Sequence, residues 1–215
     1  MNIFEKFYFD KTFDGTNNIT RWNNSRRIKD ESVALHSYIV TQFADFLVER
    51  LMENAMYPNI SDFSCYKLKV IRSAMRHDFD ENISGDMLYT VKSNEFNGNE
   101  LAKSLQDFID FKMNKIYDDL DSDREKVLLK NSICYYDDKS VKAIVKVCDW
   151  LACLFYIYKE RQLGNQNFND RFETCKEQTK NWIKISKVTL LGTKFIFTKQ
   201  SFDVFDEIEI LLTKI

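Results

Sequence analysis

The chain has 215 residues, 44% of them hydrophobic and 30% charged, with one Pro, five Gly and a net charge of −2. That size and balance suit one sizeable core, and so few turn-formers favour long helices over many short strands. No basic block marks a nucleic-acid face and no apolar run reaches membrane-spanning length, so neither polymeric nucleic acid nor a membrane is an expected partner.

The opening stretch, "MNIFEKFYFDKTFDG", mixes both charges into its apolar residues, so it does not read as a secretory signal. Glu31 to Glu53 reads as a helix: Val33, Ile39, Val40, Phe43, Leu47 and Leu51 recur at helical spacing, and Asp30 or Ser32 can cap it. "YPNISDFS" (Tyr57 to Ser64) reads as a loop holding the only Pro. A second helix is expected from Cys65 to Met75, with Leu68, Ile71 and Met75 on one stripe, and "NISGD" ends that segment with Gly85 as the breaker. "NGNE" (Asn97 to Glu100) starts a further helix through Leu105, Phe108, Ile109 and Met113. The most apolar helix is expected from Ser140 to about Gln162, stopped by Gly164. "KVTLLGTKFIFTK" is rich in β-branched and aromatic residues and fits a short hairpin or part of a helix. With no repeat and no Pro/Ser/Gly-rich linker, one domain over 1–215 is the simplest organisation, its core about 1–165 and an extension 166–215.

Cys65, Cys134, Cys148, Cys153 and Cys175 are odd in number and contain no C-x-x-C pair. Reduced, mostly buried thiols in a cytoplasmic protein are the default reading, and a zinc knuckle has no support.

Three polar positions on apolar faces stand out. His36 shares a helix face with Ile39, Val40, Phe43 and Leu47, which is also how a hydrogen-bonded core histidine looks. His77 and Asp78 end the second helix, where a C-terminal His complementing the helix dipole is the plain alternative. Asp149 lies in the middle of the most apolar helix and is costly to bury alone; it needs a cation, a hydrogen-bonding partner or a metal, and Lys146 is a candidate partner. Together these positions offer two imidazoles, the only two in the chain, and two carboxylates. Such a mixed N/O set suits one divalent Mn, Co, Fe or Zn ion, and Mg less well.

With these residues in place the chain resembles the HD phosphohydrolase superfamily, whose ligands run H…HD…D over an all-α helical bundle, and within it the bacterial 5′-deoxynucleotidases. Three blocks carry the resemblance: "RWNNSRRIKDESVALHS" (Arg21 to Ser37), "RHDFDENISGD" (Arg76 to Asp86) with the later Val91-Lys92 pair, and "VKVCDWLACLFYIYKERQLGN" (Val145 to Asn165). The resemblance implies that His36, His77, Asp78 and Asp149 hold one divalent ion, that Glu81 and Asp86 are catalytic acids, and that Arg21, Trp22 and Lys92 face the substrate. Arg21 would contact phosphate, and Trp22 would pack against the sugar and disfavour a 2′-hydroxyl. Glu81 would orient the attacking water or shuttle its proton, and Asp86 would hold the sugar or leaving-group side, with the two roles open to exchange. Plain helix-end and turn chemistry is the alternative for both acids, and an amphipathic Trp at a helix end is the alternative for Trp22. Relatives that need two metals need further histidines, which this chain lacks.

The chain departs from the family pattern in two places. Leu35 stands where an acidic residue usually precedes the first ligand His, and Gly85-Asp-Met-Leu-Tyr-Thr-Val-Lys92 lacks both prolines of the family's loop beside the nucleotide. These changes bear on substrate choice more than on chemistry. The expected activity is release of phosphate from deoxynucleoside 5′-monophosphates. The alternatives are a deoxynucleoside triphosphate triphosphohydrolase using the same centre, as in related phage enzymes that act on dATP, and a nucleotide-binding HD protein without turnover. A homodimer is expected by analogy with the family.

Overall fold

Helix α1 runs over Val33–Glu53 in the computed structural model, which describes residues 16–23, 25–56, 59–86, 99–127 and 138–215. Ser32 caps it, its hydroxyl accepting the Leu35 amide at 3.1 Å. Val33, Val40, Leu47 and Leu51 are buried as the spacing predicts, and Ala44 and Val48 complete the inward face.

Helix α2 spans Ile60–Met75. Its start corrects the loop expected over Tyr57 to Ser64 from Ile60 onward; Tyr57 and Pro58 lie outside the described residues. Asn59 is extended; its side-chain oxygen accepts the Asp62 amide at 2.9 Å and its Nδ2 donates to the Asp62 carboxylate at 2.8 Å. That reciprocal box starts the helix five residues before Cys65. The inward face also differs from the expected stripe: Leu68 and Met75 are 46% and 55% exposed, whereas Tyr66, Val70, Ser73 and Ala74 are buried. Counting apolar residues missed this because Tyr66 brings its own polar solution. Its hydroxyl donates to Ser140 Oγ at 3.0 Å, which lets the ring enter the core. Burial pushes the Tyr66 phenol well up from its ordinary pKa, and the Ser140 bond offsets this only in part.

The short helix α3 is Glu81–Ser84 and α4 is Asn99–Asp118. Leu105, Ile109, Met113 and Ile116 recur along α4 and form a cluster with Tyr117, Leu120, Phe79 and Ile83. Helix α5, Lys139–Gln162, is capped by Asp138, whose carboxylate accepts the Ser140 and Val141 amides. Just past its end, Gly164 has φ +89°, a value a side chain would strain. Helix α6 is Asn169–Leu191, followed by a single 3₁₀ turn at Gln200–Phe202 and α7 at Asp203–Lys214. "KVTLLGTKFIFTK" is therefore split. Its first residues finish α6, and Ile196 makes an isolated antiparallel bridge to Met56, with N–H···O bonds of 2.9 Å in both directions. Phe195 and Phe197 continue into an aromatic chain through Phe202 to Phe205. Among the described residues the ordered secondary structure is helical apart from two isolated bridges.

The chain divides into two compact units. One is built from the described residues of Met1–Asn24, Asp30–Leu35 and Asp78–Ile133, the other from those of Ser25–Lys29, His36–His77 and Cys134–Ile215. In the second unit α5 packs against α2 and α6, and the core joins Val40 and Leu47 of α1, Val70 of α2, Ile144 and Cys148 of α5, Ile183 of α6 and Phe205 of α7. Cys148, Cys153 and Cys175 are buried and in no disulfide, while Cys65 is exposed and Cys134 lies outside the described residues.

A buried carboxylate fastens the 26–29 segment to α5. Glu160 accepts the Ile28 and Lys29 amides at 2.7 and 2.8 Å and the Asn165 amide group at 2.6 Å. Burial alone would raise the Glu160 pKa, but these donors outweigh it and hold the carboxyl below its ordinary value. The bond network therefore stabilises the fold fully above the unfolded carboxyl pKa of about 4.3, and that contribution is lost as pH falls through the lower folded value. Glu160→Gln turns an acceptor toward three donors into a mixed group. Urea unfolding at pH 7 should register a loss of about 1–3 kcal/mol, and the difference from wild type should shrink below about pH 4.

Candidate active site

In the second unit, α1, α5 and the turn after α2 bring three of the singled-out side chains together. His36 is fully buried, and its Nε2 lies 3.0 Å from Asp149 Oδ1. His77 Nε2 approaches the same oxygen at 3.7 Å, and the two imidazole centroids are 5.2 Å apart. His77 Nδ1 is 2.8 Å from the Ala74 carbonyl oxygen. A carbonyl only accepts, so Nδ1 carries the proton, and Nε2 is the ring nitrogen turned toward Asp149. The other Asp149 oxygen takes Lys146 Nζ at 2.9 Å.

Burial would push the Asp149 pKa up. The Lys146 charge and the two histidine contacts pull it the other way, well below the usual carboxylate range, so Asp149 is ionised at neutral pH. Cys153, one turn on, has its Sγ 4.0 Å from Asp149 Oδ1, and donor atoms of His36, Asp149 and Cys153 all lie within 4.8 Å of one another. Spacing did not single out Cys153, because a thiol on an apolar helix reads as core. Two imidazoles and an ionised carboxylate in a buried recess form a donor set that fits a divalent transition metal.

The first unit holds the other candidates. Asp78 and Glu81 are both buried, and the Glu81 amide donates to the Asp78 carbonyl at 3.1 Å. Gly85, at φ +73°, ends α3 with its amide on the Glu81 carbonyl. Asp86 then accepts the Trp22 backbone N–H at 2.7 Å. Trp22 itself has φ +65°, left-handed backbone that costs a bulky residue roughly 1–2 kcal/mol. Its indole N–H donates to Glu31 Oε2 at 3.0 Å, and Arg21 sits beside the same oxygen at 3.6 Å, its guanidinium 5.4 Å from the Trp22 ring centre. An antiparallel bridge between Thr20 and Ser32 aligns the two segments. Lys92 lies outside the described residues.

Glu31 is the residue whose place here the sequence did not announce. It read as the start of a helix and as part of the Arg21 to Ser37 block, with no role of its own, because its partners come from a bridge with no local signature. The Trp22 backbone has a direct test: Trp22→Gly and Trp22→Ala both lack the indole, and glycine alone tolerates φ +65° without strain. The glycine variant should be more stable by about 1 kcal/mol in thermal unfolding; equal melting would rule out the left-handed turn.

The described residues thus form a helical scaffold in which two buried histidines meet an acidic side chain. A family model, that of the YfbR-like 5′-deoxynucleotidases, matches residues 8–197, and the chain belongs to that family. It is a metal-dependent nucleotide phosphohydrolase. A comparison with curated proteins found no match. Among solved structures, the chain is similar to an HD-domain phosphohydrolase from Listeria innocua, with a TM-score of 0.66 and 20% identity over 96% of this chain and 87% of that one. At that identity the likeness establishes the all-α HD-domain fold. No helix among the described residues is long and apolar enough to cross a membrane.

Proposed function

We propose that this protein releases inorganic phosphate from deoxynucleoside 5′-monophosphates at one divalent ion held by His36, His77, Asp78 and Asp149. The observation that carries the reading is the convergence of His36 and His77 on the ionised Asp149. A borderline ion such as Co, Mn, Fe or Zn suits this donor set better than Mg. When bound, the ion supplies an acidified water and charge relief on the phosphoryl oxygens.

The remaining work falls to the chain. Arg21 offers a planar, permanently charged fork to the phosphate. Glu81, a buried carboxylate, orients the water and takes its proton. Trp22 packs against the sugar and leaves no room for a 2′-hydroxyl. Asp86, bonded to the Trp22 amide, faces the sugar and leaving-group side and fixes the Trp22 turn. Lys92 adds positive charge toward the substrate. The same reading takes 1–215 as a single HD-type domain, with 166–215 as its extension, acting in the cytoplasm as a homodimer and without polymeric nucleic acid.

The test is a panel of deoxy- and ribonucleotides, mono- and triphosphate, assayed with Mn, Co and Mg. Inorganic phosphate from dAMP, with little from AMP, supports the proposal. Triphosphate from dATP would replace it with a triphosphohydrolase. Tight nucleotide binding without any product would replace it with a binding protein.

A further inference from the structure

We propose that Glu31 is a positioning residue for sugar selection. Its buried carboxylate holds the Trp22 indole and the Arg21 guanidinium in the one relative pose that accepts a deoxyribose phosphate and turns a ribose away. The proposal rests on the reading of Arg21 and Trp22 as phosphate and sugar contacts, and it adds what makes them act together.

Glu31 touches this pair three times. Its carbonyl accepts the Arg21 backbone N–H at 2.8 Å, and its Oε2 accepts the Trp22 indole N–H at 3.0 Å and stands 3.6 Å from Arg21 Nη1. One oxygen atom is thus shared by the two side chains, and moving it moves both. The carboxylate is 2% exposed, so water does not offer an easy substitute for these contacts, and a charge this deep needs its cation. The backbone beneath is fixed as well. The Thr20–Ser32 bridge and the Val33 N–H on the Ile19 carbonyl at 3.0 Å flank Glu31, while the Asp86 carboxylate secures the left-handed Trp22 amide. A steric gate discriminates only if its wall does not yield. An indole set on strained backbone and tied at its far end by a buried acceptor is such a wall. A carboxylate kept only for stability would leave substrate preference unchanged when replaced in a folded protein.

The experiment compares wild type with Glu31→Ala, Glu31→Gln and Trp22→Ala, all with confirmed metal content. It measures kcat and KM for dAMP and AMP and the 1H–15N indole resonance of Trp22, assigned by its absence from Trp22→Ala. Glu31→Ala should lower the dAMP over AMP preference in kcat/KM by about tenfold or more. Glu31→Gln keeps an acceptor for the indole but not the charge. It should retain most of the sugar preference and raise KM for dAMP by roughly tenfold, with a shifted indole resonance. A folded Glu31→Ala that keeps its preference, while Trp22→Ala loses it, overturns the proposal and leaves the Trp22 reading standing. A Trp22→Ala that keeps the preference overturns that reading and the proposal with it. If Glu31→Ala does not fold, Glu31→Gln decides: an unmoved KM and an unmoved indole resonance overturn the proposal.

Discussion

Asp149→Asn should yield a folded protein that no longer copurifies with a stoichiometric divalent ion and hydrolyses nucleotide on the order of 10³-fold more slowly, or worse. The reason lies in what its two oxygens do. Oδ1 faces both imidazoles and Oδ2 faces Lys146, so this one carboxylate meets all three groups. Asparagine keeps the shape, but it removes the negative charge and turns an amino group toward either the histidines or the lysine. The fold should survive, because Lys146 is 29% exposed and its ammonium can turn to water instead of being stranded. Elemental analysis, far-UV circular dichroism and phosphate release together check this. A variant that binds metal at wild-type stoichiometry and keeps a tenth of the activity would refute the ligand role. The pH dependence has a defined sign. Because its pKa is lowered, the Asp149 carboxylate is fully charged above the ordinary carboxyl range, and loses its charge only well into acid.

Glu81→Gln has the second largest expected effect, a fall in kcat of about 10²–10⁴-fold with metal content and KM close to wild type. The side chain is buried at the head of α3, and glutamine matches its volume, so the substitution removes basicity and little else. The pH–rate profile should lose the limb that the carboxylate contributes. A variant within threefold of wild type would move the proton-transfer role elsewhere, with Asp86 next in line.

How much of this could be read from the sequence depends on how local the cause is. Helices α1 and α5 were legible because their apolar spacing is regular, and Gly164 closes α5. The inward placement of His36 and Asp149 followed from the same spacing, and Lys146 was visible three residues away. Helix α2 was misjudged at both levels. Its cap, Asn59 with Asp62, lay inside what looked like loop composition, and its buried face is chosen by Tyr66 reaching Ser140, 74 residues away. The Trp22 turn was the hardest to see. A bulky aromatic is a poor guess for left-handed backbone, and contacts from Asp86 and Glu31 hold it there. Those contacts join segments 64 and 9 residues apart, and no spacing rule encodes them.

The interleaving of the two units has a consequence for biosynthesis. The chain alternates between them, and the second unit needs both its early segment His36–His77 and its late one from Cys134 onward. A nascent chain emerging from the ribosome therefore carries both histidines well before Asp149 exists. At translation rates of about 5–20 residues per second, the gap from residue 77 to residue 149 lasts roughly 4–14 s. During that interval α1 and α2 have no α5 to pack on, so their apolar faces are accessible to chaperones and the imidazoles to stray metal. Assembly of this recess is a late event in synthesis, set by the order of segments along the chain.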